Sequence, residues 1–125
     1  PQNHLGIFVR GLVAGLSGDT AGALRDCHRA YQLRPSDPNA LAEMCRFANA
    51  AGIEVENEVA ELVKIDPLTP VTWLVVASTH MTGGRIQEGV PAARRAIELA
   101  PEPSNMHILT AALLLKADKE QKGKK

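Results

Sequence analysis

The chain repeats itself with a period of about 34 residues, and a period of that length admits few architectures. The stretches GDTAGALRDCHRAYQLRP, Gly18 to Pro35, and GRIQEGVPAARRAIELAP, Gly84 to Pro101, are each 18 residues long and lie 66 apart, two periods. Gly18, Arg29, Ala30, Leu33 and Pro35 in the first match Gly84, Arg95, Ala96, Leu99 and Pro101 in the second. A middle copy, GIEVENEVAELVKIDP from Gly52 to Pro67, is two residues shorter. Ahead of each glycine the register continues. Ile7, Leu41, Trp73 and His107 fall at steps of 34, 32 and 34, and Gly11, Cys45, Ala77 and Ala111 share those steps.

The residue types at these places predict paired helices. A large residue followed four positions later by a small one puts both on one helix face, and the small one admits a second helix at close range. Gly18, Gly52 and Gly83–Gly84 stand where a first helix ends and the backbone turns through positive φ. Pro35, Pro67 and Pro101 end second helices, and Pro38 and Pro70 open the next ones, where a missing N–H costs nothing. First helices are expected near 5–17, 38–51, 70–82 and 104–120, and second helices near 20–33, 54–65 and 86–99. Pro91 predicts a delayed start or a kink in the last of these. No segment alternates as a strand does.

Composition agrees with helix packing and removes several functions. The sequence holds four aromatics, so the core has to be built from aliphatic residues. Lys plus Arg equals Asp plus Glu at 14 each, and no stacking aromatics interleave with Arg29, Arg94 or Arg95. That argues against nucleic acid as a partner. No apolar run is long enough for membrane insertion. Cys27 and Cys45 fall inside helical patterns and read as reduced, packed thiols. No His or Cys spacing suits a metal, no glycine loop suits a phosphate, and no cofactor is expected. His28 adjoins Cys27 and Asp26, but helix neighbours point about 100° apart and cannot pass a proton between them. Glu54, Glu58 and Glu61 read as a solvated acidic face of the middle second helix. His80 and His107 read as partly buried packing residues. The opening at Pro1, without a charged-then-apolar leader, suggests a piece of something longer. The repeat is expected to span 1–120 as one domain, with 121–125 a basic flexible tail.

The whole pattern resembles the tetratricopeptide repeat family, most closely over Trp73–Pro101 and Gly18–Pro35. It departs at Arg10, where the family has an aliphatic residue, at the short middle unit, and at Gly89 and Pro91. The resemblance implies an all-α, right-handed superhelical stack of antiparallel helix pairs, about three units plus a closing helix. It implies no catalysis. It implies a protein or peptide partner, a helix or an apolar segment, lying in a concave groove lined by first helices. Carried over position by position, the groove residues are Phe8 and Leu12, with Leu5 and Leu16; Asn39, Arg46 and Asn49, with Ala42; Leu74, Ser78 and Met81, with Val71; and Ile108 and Leu115, with Asn105 and Ala112. Positions that clamp a terminal carboxylate in some members hold Ala42, Leu74 and Ser78 here, which argues against that use. The apolar first helix suggests either further repeats ahead of it or a homo-oligomer through exposed terminal repeats. The stretch Asp66–Pro101 also looks like repeats beside bacterial serine/threonine kinase or winged-helix domains. The second expectation is therefore a regulatory or sensory segment of a larger signalling protein, cytoplasmic, or periplasmic if membrane-anchored.

Overall fold

The computed structural model describes residues 3–100 together with Leu115, Asp118 and Lys119. Over these residues the secondary structure is helical, with no strand. The helices are α1 (His4–Leu16), α2 (Thr20–Leu33), α3 (Pro38–Ala50), α4 (Glu56–Ile65), α5 (Pro70–Thr82) and α6 (Ile86–Leu99). The expected fourth first helix and the basic tail lie almost wholly outside the described residues. Leu115, Asp118 and Lys119 are themselves helical.

The chain divides into two compact units, Pro1–Ile65 and Asp66–Lys125. In the first, α1 packs on α2, α2 on α3 and α3 on α4; in the second, α5 packs on α6. The three recurring glycines create the turns. Gly18, Gly52 and Gly84 have φ of 87°, 77° and 80°, a region that favours glycine. Just beyond each, an N–H reaches back to the last helical turn: Asp19 to the Ala14 carbonyl at 2.9 Å, Ile53 to Ala48 and Arg85 to His80 at 2.8 Å. The same closure three times over satisfies carbonyls that a helix end leaves unpaired.

Helix starts are equally local. Asp19 and Asp37 accept from the N–H groups of Gly22 and Asn39 at 2.9 Å, capping α2 and α3. Pro38 and Pro70 sit in the first turns of α3 and α5. The α4 helix begins at Glu56, two residues later than expected, with Glu56 and Glu58 at its positive end and Lys64 in its last turn. The α6 helix begins at Ile86 and runs through Pro91, so the delayed start does not occur. The first turn closes ahead of the proline, with the Gly89 N–H donating to the Arg85 carbonyl at 3.2 Å.

Small residues set the packing distances. A side chain at Gly11 would meet Asp26 and the Cys27 sulfur at 3.0 Å, and one at Gly15 would run into the Phe47 ring at 2.5 Å. In the second unit Ala77, Ala92 and Ala93 form the α5–α6 contact, with Trp73 and Val76 against it. Gly89 lets α6 approach the Ala77 carbonyl, which a side chain there would meet at 3.0 Å. The Trp73 indole N–H donates to the Pro67 carbonyl at 2.7 Å and ties α5 to the turn before it.

Candidate functional site

The residue that breaks the repeat pattern, Arg10, ties α1 to α2 through a buried carboxylate. Its Nε and Nη2 each donate to one oxygen of Asp26 at 2.9 Å, crossing from α1 to α2. Asp26 is buried, and the Arg10 guanidinium holds its carboxyl below the usual range against the opposing effect of burial. Asp26 thus faces α1, Cys27 lies fully in the core and His28 is exposed. The three neighbours diverge, which is the helical geometry that separates them as chemistry.

The thiols are not poised to react. Burial pushes Cys27 up to about 11, with Glu43 and Asp26 adding to the effect. Burial also pushes Cys45 up to about 12, helped by the charge of Glu58. Both are free. Among the described residues no cluster of His, Cys, Asp or Glu could hold a metal, and no helix is long and apolar enough to cross a membrane. His80 is half-buried, as its repeat position suggests, and its Nδ1 accepts from Arg85 at 3.3 Å.

The groove positions named from the resemblance divide between the units. In the first, Phe8, Leu12 and Asn49 are half-buried, while Asn39 and Arg46 are exposed. The Arg46 Nη1 donates to both oxygens of Glu43 at 2.8 Å, so its charge is already engaged one turn back. In the second, Ser78 and Met81 are half-buried and Leu115 is exposed. Leu74 is only 6% exposed. It serves the core, because α5 buries Thr72, Leu74, Val75, Ala77 and Thr79 around most of its circumference. Ile108 lies outside the described residues.

A concavity lies elsewhere, within the first unit between its two second helices. Its volume is about 580 Å³. Leu24 and Tyr31 of α2, Met44 and Ala48 of α3, and Ile53 and Val55 of the α3–α4 turn give it apolar walls. Arg25 and His28 stand on the α2 side, with Asn57, Glu58 and Glu61 on the α4 side. Glu58 and Glu61 are half-buried, so two of the three carboxylates read as a solvated face line this cleft instead. The cleft follows from how α4 is held. That helix is short, buries only Val59 and Leu62, and rests on α3 over a much smaller contact than α1 makes with α2. The signal that could have found it was the two-residue deletion in the middle repeat, read together with its acidic helix.

Comparison with known proteins places the fold. The O-GlcNAc transferase of Thermobaculum terrenum, solved as a mutant, superposes with a TM-score of 0.76 at 20% sequence identity, covering 89% of this chain and 22% of that one. The fold is that of a helical repeat of tetratricopeptide-like form. No family model matches the chain, and no curated protein matches it by sequence. At 20% identity the likeness carries the fold alone, and this chain spans about a fifth of the transferase's length.

Proposed function

We propose that the chain is a non-catalytic interaction scaffold that docks a partner peptide or helix. The observation that carries this reading is the cleft of about 580 Å³ between α2 and α4. Its size is that of a site for a few side chains, within the range of roughly 300–1,000 Å³ typical of binding pockets. Apolar walls supply the driving force for a buried anchor. Glu58 and Glu61 have no hydrogen bond or ion pair among the described residues, which favours a partner with a basic residue beside its apolar anchor.

The test is fluorescence anisotropy with a set of labelled helical peptides that vary in apolar anchor and net charge. Peptides pairing an aliphatic or aromatic anchor with Lys or Arg should bind. Ile53→Asp should abolish that binding with helicity unchanged, since Ile53 is exposed. Glu58→Gln with Glu61→Gln should weaken binding and flatten its salt dependence. Binding that survives these changes but is lost in Phe8→Asp would move the occupied surface to the first-helix groove of the tetratricopeptide family.

A second reading makes the repeat a regulatory or sensory segment of a larger signalling protein. It is supported by the same fold forming about a fifth of a longer enzyme chain. Sequence continuing past either end of the chain into a kinase or winged-helix domain would decide in its favour.

A further inference from the structure

The α1 helix carries an apolar seam that the first unit does not cover. Leu5, Val9 and Val13 each expose more than half of their surface, and Leu16 exposes 90%. Leu5, Val9, Leu12 and Leu16 are spaced by four, three and four residues, the alternation of a coiled-coil seam, and Val13 flanks it. The opposite side of the helix is the one that packs inward, through Gly11 against Asp26 and Cys27. No acidic residue lies in α1, and its guanidinium, on Arg10, is paired with Asp26. The molecule itself shows how such a face is covered. Phe47, which holds in α3 the register position that Val13 holds in α1, packs against α1 at Gly15.

We propose that a second copy of this chain covers the seam, with α1 against α1 in antiparallel orientation about a two-fold axis. The register supports this occupant. An axis between Arg10 and Gly11 sets Leu5 opposite Leu16 and Val9 opposite Leu12 of the other copy, so each large residue of the seam meets another. The same patch then serves both partners and the contact closes at two copies. A different protein would ordinarily be selected by charges around the seam, and α1 offers none that are unpaired. One seam on each copy gives an interface near the lower end of specific association, ~1,000 Å² in total, so the dimer is weak and reversible. The seam is distinct from the α2–α4 cleft, and Leu5, Leu12 and Leu16 pass here from the peptide groove to self-association.

Sedimentation equilibrium of the whole chain from ~5 μM to ~1 mM should show a reversible monomer–dimer equilibrium without larger species. Leu16→Glu should shift it to monomer while circular dichroism stays unchanged, because Leu16 is the exposed last residue of its helix. The orientation is tested by mixing Leu5→Glu with Leu16→Lys. In the antiparallel register the new carboxylate faces the new ammonium and the native Leu5–Leu16 pair survives on the other side. The mixture should therefore dimerise at least about ten-fold more tightly than either variant alone, a gain of ~1.4 kcal/mol. Both charges suit the helix ends on which they are placed, so loss of folding is not the expected failure. A parent chain that is monomeric throughout, a ladder of larger species, or a mixture no tighter than its components would each overturn the proposal.

Discussion

The two helix pairs of the first unit are built from one pattern and packed differently. In α1–α2, Gly11 brings the backbones close, and Arg10 reaches across to a buried carboxylate. In α3–α4 the second helix is shorter, and it buries only Val59 and Leu62. The difference teaches that a repeat holds its form through a few spacing residues. Where two residues are lost, the fold persists and a cleft opens.

The sharpest way to break this comparison is to overfill the tight pair. Gly11→Leu has to displace Asp26 and Cys27, and it should cost about 3 kcal/mol in urea unfolding, at the upper end for overpacking. Ala60→Leu, on an exposed side of α4, should stay within about 0.5 kcal/mol of the parent. Next in size is Leu62→Ala, which removes a fully buried side chain. It should cost about 2 kcal/mol, the low end for such a deletion, because a lightly held helix can settle into the space. A larger loss for Leu62→Ala than for Gly11→Leu would invert the assignment of tight and loose pairs.

A smaller and pH-dependent effect belongs to the Arg10–Asp26 pair. Asp26 titrates below its ordinary 3.8 in the folded chain, so its contribution is present above that value and is lost as pH falls through the lower folded one. Arg10→Met should lower Tm at neutral pH, and the gap to the parent should close progressively below about pH 4, as thermal melts across pH would show. The smallest effect is alkaline. Cys27 and Cys45 are raised from 9.0 to about 11 and about 12, so what they contribute is complete below 9.0 and is lost as pH climbs towards those values. Cys27→Ala with Cys45→Ala should flatten the fall in stability above pH 9, and alkylation of the parent should be slow until it unfolds.

Much of this was legible in the chain because turns are local. Glycine and proline fix helix ends within a few residues, and the bounds of α2, α3, α5 and α6 follow from them almost to the residue. The site was less legible because it depends on how far apart two helices stand. Glu58 and Glu61 look like any solvated stripe until α4 is placed lightly on α3. Leu74 occupies a first-helix groove position, yet α5 is buried around most of its girth, a property set by its neighbours and not by its own register. Arg10 reads as a departure from the pattern until Asp26, sixteen residues on, supplies its reason.

The three glycine closures have one further consequence. Each turn is specified within about six residues, so a helix pair holds its instructions before the next pair has been synthesised. Contacts between neighbours in sequence are the kind that form fastest. A chain written this way can acquire structure progressively as it leaves the ribosome, pair after pair, with little apolar surface waiting on distant residues.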